Sequence, residues 1–190
     1  IGNYHKKSLE IKESFIKYAQ KTGEYLEEIK PVIKEKQEFF RKLAKRFYPN
    51  NASGITVYNN EGENQQRYTI EAKIESDNSD GINNVKIFCY DMTMLFKGYG
   101  HNIKFSFHDS RLFDGIDEKH KAEIFKVVSE LFSNADYQYI ATVNQNQLNE
   151  IKSILTEQEY EEIIEKNTIL TLTDEDDSEK LLGVKVDVGY

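Results

Sequence analysis

The densest set of side chains able to do chemistry is the run His108-Asp109-Ser110-Arg111-Leu112-Phe113-Asp114-Gly115-Ile116-Asp117. It follows Ile103–Phe107, a short apolar stretch that reads as a strand. A carboxylate at the end of a buried strand is costly unless something binds or hydrogen-bonds it. Asp109 therefore reads either as a magnesium-orienting group, since that ion uses one or two carboxylates plus waters, or as the cap of the following turn. Asp109, Asp114 and Asp117 together also fit a two-metal nuclease. Ser110 beside His108 lacks the glycines of a nucleophile elbow, which counts against a Ser–His–Asp triad. The histidines His5, His101, His108 and His120 are too scattered for a zinc set.

Elements must hold these groups in place. Residues 5–47 read as helix, with Ala19, Leu26, Ile33, Phe40 and Phe47 on one seven-residue ladder. Phe15, Thr22, Ile29 and Leu43 lie on the other, interrupted by Lys36. That is a coiled-coil-like seam in need of a partner, and Pro31 predicts a kink or a fresh helix start within it. Tyr48-Pro49-Asn50-Asn51 ends the helix. Residues 1–50 thus form an arm and 51–190 a lobe. Ile55 and Val57, then Tyr68, Ile70, Ala72 and Ile74, alternate with polar residues and predict an antiparallel hairpin. Val85, Phe88, Cys89, Met92, Leu95 and Phe96 follow helical spacing up to Gly98.

Asp117 caps a helix running to about Phe132, and Tyr137–Val143 is a second buried strand. Strand, crossover helix and strand imply parallel pairing in an α/β sheet, whose ligands gather beyond the carboxyl ends of the strands. Those ends carry Asp109, Ser110 and Asn144. Residues 145–166 read as two helices broken near Thr156. Ile169–Leu172 and Leu181–Val188 read as a final hairpin.

The chain has 190 residues, 38% hydrophobic and 31% charged, with 12 Tyr and 11 Phe. That aromatic content excludes wholesale disorder. The single cysteine, Cys89, excludes an intramolecular disulfide framework and fits a reducing cytosol. No apolar run approaches the roughly 18–20 residues of a membrane span. Residues 1–47 carry 12 Lys+Arg against 7 Asp+Glu, net +5; the remainder carries 13 against 26, net −13. Arg41, Lys42, Lys45 and Arg46 are therefore either a solvated helix face or a nucleic-acid contact. The start at Ile1 without a methionine reads as a fragment of something longer.

Ser79-Asp80-Gly81-Ile82-Asn83, the helix from Phe88 to Leu95, His108-Asp109-Ser110 with Leu112–Asp117, and Leu181-Leu182-Gly183-Val184 carry a resemblance. From about Ser53 to Val186 the chain resembles a bacterial family known as domain of unknown function 2326. That family is in turn similar to the C-terminal lobe of SMC and RecN-like coiled-coil ABC-type ATPases. The resemblance implies the α/β, mixed-sheet lobe of a P-loop ATPase head preceded by a coiled-coil arm. It implies that Ser79 and Gly81 belong to a signature-like loop, with Asp80 where a glycine is usual. Asp109 corresponds to the Walker B aspartate that orients magnesium. Ser110 stands where a catalytic Glu is usual, Asp117 near the D-loop aspartate, and Asn144 at the switch-histidine position.

None of the ten glycines opens a Gly-Lys-Ser/Thr loop. ATP and Mg2+ are accordingly expected only in the complete protein, where an N-terminal ATPase lobe would supply the phosphate cradle. Further expectations are a cytoplasmic protein acting on DNA, in repair or defence against foreign DNA, and a homodimer through heads or arm. The alternatives are a non-catalytic interaction module with a degenerate nucleotide site and the metal-dependent nuclease.

Overall fold

The computed structural model describes residues 2–60, 66–173 and 176. Two helices, α1 (Gly2–Glu28) and α2 (Lys30–Phe47), meet at Ile29. Pro31 lies in the first turn of α2, where a missing N–H breaks no intrahelical bond. The break falls there, while Gly23 leaves α1 continuous.

Strands β1 (Ser53–Asn59) and β2 (Tyr68–Ile74) form the expected antiparallel hairpin, with Ile55 opposite Ala72 and Val57 opposite Ile70. This hairpin packs on the seven-residue seam. Gln37 Nε2 donates to the Ile55 carbonyl and Asn59 Nδ2 to the Ala19 carbonyl, each at 2.8 Å. Phe15, Ala19, Thr22, Leu26, Ile29 and Ile33 are half-buried among exposed neighbours. Farther along, Phe40, Leu43 and Phe47 are fully in the core. Tyr4, Ile11, Tyr18, Tyr25 and Val32 form a second ladder that also recurs every seven residues; all are exposed, with Arg67 over the Tyr18 ring at 4.8 Å.

Helix α3 (Asp80–Lys97) packs across α2 and presents Val85, Phe88, Cys89 and Met92 to the core. The Phe47 and Phe88 rings meet edge to face at 6.0 Å. Strand β3 (Phe105–His108), a 3-10 turn (Ser110–Phe113), α4 (Glu118–Phe132) and β4 (Gln138–Ala141) follow, and β3 pairs with β4 in parallel as the crossover predicted. Helices α5 (Gln145–Ile154) and α6 (Glu157–Ile163) separate at Thr156, whose hydroxyl caps α6.

The fold is mixed α/β, but the expected single mixed sheet is not formed among the described residues. Two separate two-stranded sheets stand instead. The reason is pairing: β1–β2 spends itself on the arm, and β3 and β4 are four residues each. The inner face of β3–β4 (His108, Tyr139, Ala141) packs on the core, while Phe105 and Phe107 are 54% and 52% exposed on the outer face with Ile140. Ile169–Leu172 forms no strand and is exposed, and Leu181–Val188 lies outside the described residues. No described helix is long and apolar enough to cross a membrane.

Candidate functional site

The chain leaves β3 at Asp109, and its Oδ1 accepts from the Arg111 N–H at 2.9 Å, capping the 3-10 turn. Its other carboxylate oxygen takes no bond from a described residue. Ser110 is pinned through its backbone: its N–H donates to the Thr142 hydroxyl at 3.2 Å, and its carbonyl accepts from Gln147 Nε2 at 3.0 Å. Gln147 Nε2 also donates to Asp114 Oδ1 at 3.0 Å, and Asn84 Nδ2 donates to the Asp114 carbonyl at 2.8 Å. Asn144 is exposed at the N-terminus of α5, where its N–H donates to Gln147 Oε1 at 3.1 Å. Asp109, Ser110, Asp114 and Asn144 thus sit on one hydrogen-bonded rim at the carboxyl ends of β3 and β4.

Gly81, at the start of α3, abuts the turn that follows this rim. Ser79 precedes the helix with its side chain uncommitted to a cap, and Gly81 packs against the Gly115 backbone. Gly115 has φ +71°, a left-handed turn that carries the chain from the rim towards α4. Asp117 turns elsewhere. It caps α4 through the Lys119 and His120 N–H groups, and its Oδ2 meets His120 Nδ1 at 2.5 Å. His120 Nε2 lies 2.9 Å from the Phe47 carbonyl, so this triplet clamps α4 to the end of α2. Asp109, Asp114 and Asp117 are each committed to different bonds, and no group of three or more metal-ligating side chains forms among the described residues.

A family model described as an uncharacterised protein conserved in bacteria (DUF2326) matches residues 43–186. The chain belongs to this family. No curated protein matches it. A solved structure of an SMC head bound to the C-winged helix domain of ScpA is similar over 63% of this chain and 38% of that one, at 11% identity and a TM-score of 0.47. The chain spans well under half the length of that head.

In this DUF2326 chain, the pattern of residues 108–117 did not reveal the partners of His108. Its buried ring lies between Asp91 Oδ2, 3.0 Å from Nε2, and the Tyr139 hydroxyl, 2.9 Å from Nδ1. His108 thus points into the core, across the strand from Asp109, as strand alternation requires. Burial, then the Asp91 charge, pushes the Tyr139 phenol up, so its hydroxyl stays protonated beside the ring. Burial also pushes the Cys89 thiol up, leaving it inert. At Asp117 burial works upward, but the His120 N–H and ring together outweigh it and hold the carboxyl low. The one sequence signal for Gln147 was its place three residues after Asn144, a capping-box spacing.

The four-cation patch divides. Arg46 reaches inward to Glu123 at 2.6 Å and forks onto Glu130 at 2.7 and 2.9 Å, joining α2 to α4. It is an interhelix tie and not a free contact. Lys42 lies near enough to Glu130 to help lower that carboxyl, after Arg46.

Proposed function

We propose that the chain is the C-terminal half of an SMC and RecN-like coiled-coil ATPase head, residues 1–50 forming its arm and 51–190 its lobe. The observation that carries this reading is the β3–β4 pair. Parallel sheets are ordinarily covered on both faces. Here Ile103, Phe105, Phe107 and Ile140 leave one face apolar and open. A second lobe, the protein's own N-terminal ATPase lobe, would complete this sheet and bring the missing phosphate loop. The open ladder of Tyr4, Ile11, Tyr18, Tyr25 and Val32 supports an arm that pairs with another helix.

Asp109 fits the magnesium role: it is exposed at a strand end with one carboxylate oxygen unengaged, and that ion takes its other ligands from water and phosphate. Magnesium with ATP would supply charge neutralisation at the transferred phosphate. Within this chain, Asp109 would orient, and Ser79 and the amides at the start of α3 would donate to phosphate oxygens. Ser110 is a poor base at neutral pH, so turnover would be slow. Ser110 and Asn144 also support the second reading, an interaction module that kept the fold and lost turnover. The cytoplasm and a role on DNA, in repair or defence against foreign DNA, complete the proposal, with dimers through heads or arm.

The test is phosphate release by the full-length protein and by Asp109→Asn. The variant should lose most of the rate, and the 190-residue chain alone should release none. Steady turnover by the isolated chain would overturn the split-site reading. A full-length protein that binds its partners but never hydrolyses ATP would select the interaction module.

A further inference from the structure

Arg41 and Lys45 lie one turn apart on α2, on a different face from the one Arg46 uses, and neither is paired with a described residue. With Pro49, Asn50, Asn51, Ala52, Ser53 and Glu75 they line an open cleft of about 440 Å3. The strap from Asn50 to Ser53 is held in place: Glu75 N donates to the Ala52 carbonyl at 2.8 Å, Ala52 N to Glu75 Oε2 at 3.1 Å, and Asn51 Nδ2 to the Glu75 carbonyl at 3.0 Å. Glu75, the single carboxylate of the lining, is thereby engaged with the strap. Two cations with no partner among the described residues, set on one fixed cleft, suit an oxyanion.

We propose that this cleft binds a phosphate group. The Arg41 guanidinium offers a planar fork and Lys45 a mobile point charge, which together suit a tetrahedral oxyanion better than either alone. Ser and Asn side chains commonly add donors to such contacts. The same chemistry is presented by a nucleic-acid backbone and by the phosphates of a free nucleotide. The site does not depend on the ATPase reading, because it uses neither Asp109 nor the β3–β4 rim.

The experiment is fluorescence anisotropy with labelled single- and double-stranded oligonucleotides on the full chain, at low salt and in EDTA, with inorganic phosphate and ATP as competitors. Binding should show a slope of log K against log salt of about −1.4 to −1.8, as two neutralised phosphates give. Arg41→Gln/Lys45→Gln should weaken it about tenfold and flatten that slope. Competition by ATP at equal phosphate concentration assigns the site to nucleotides, and its absence assigns it to the nucleic-acid backbone. Asp109→Asn should bind as the parent does. Unchanged affinity in the double variant, or no binding of any probe, overturns the proposal.

Discussion

Gly81 and Gly115 meet backbone to backbone: a Cβ built on Gly81 would stand 2.4 Å from the Gly115 carbonyl oxygen. The start of α3 is thereby fixed against the turn that follows Asp109. Both partners are glycine for different reasons, Gly81 for closeness and Gly115 for its φ of +71°. Gly81→Ala should cost about 1–3 kcal/mol through overpacking against backbone. Gly115→Ala should cost about 1–2 kcal/mol through left-handed strain. Urea unfolding measures both, and a Gly81→Ala chain as stable as the parent would mean that the two segments separate freely.

Asp117 couples α4 to the arm through His120 and the Phe47 carbonyl. Asp117→Ala removes the helix cap and should cost about 0.5–2 kcal/mol near neutral pH. Because the folded carboxyl is held low, its contribution is present above the unfolded value of about 3.9 and is lost as pH falls through the folded value. Parent and variant stabilities, measured by urea titration from pH 7 to 3, should therefore converge on acidification. A gap that stays constant over that range refutes the assignment.

Tyr139 supplies the hydroxyl that meets His108 Nδ1. Tyr139→Phe leaves that buried nitrogen unpartnered and should cost about 1–3 kcal/mol. The folded phenol is raised, so its stabilisation is intact below the unfolded value of about 10 and falls as pH rises beyond it. The parent should lose stability faster than Tyr139→Phe above about pH 10, by up to 1.4 kcal/mol per pH unit. Tyr48, raised to about 12 chiefly by burial, titrates in both proteins and cancels in the comparison. Parallel alkaline curves would place the Tyr139 hydroxyl in solvent.

Arg46 is the tie between α2 and α4, with Glu123 and Glu130 on the facing helix. Its guanidinium is partly exposed, so Arg46→Gln should cost only about 1 kcal/mol. Arg46→Lys should recover little of that, since a single ammonium cannot reproduce the fork. Neither change should alter oligonucleotide affinity. A loss of affinity comparable to that of Arg41→Gln/Lys45→Gln would return Arg46 to the contact surface.

The arm separates into a buried end and an open one. Phe40 is fully enclosed, and Phe40→Ala should cost about 3–5 kcal/mol by cavity formation. Ile11→Glu/Tyr25→Glu alters exposed positions and should leave the melting temperature nearly unchanged. The same pair should abolish arm pairing, read as mass by light scattering for the chain and as arm cross-linking in full-length protein. Pairing that survives both substitutions would mean that the ladder touches nothing.

What the sequence by itself determined about this protein is local. Alternation at Ile55–Val57 and Tyr68–Ile74 marked the hairpin, Asp117 and Thr156 marked helix starts, and Pro31 marked a break, because such signals act between residues a few positions apart. The parallel β3–α4–β4 unit was legible too, since a crossover helix leaves few pairings open. Tertiary structure alone decided that the heptad face of Ala19 to Ile33 meets a hairpin, and that His108 lies between Asp91 and Tyr139, which are 17 and 31 residues away. It likewise turned Arg46 inward, while Arg41 and Lys45 meet no partner among the described residues. A side chain's type limits the partners it can take, but which one it finds depends on packing between elements distant in sequence, where every apolar face competes for cover.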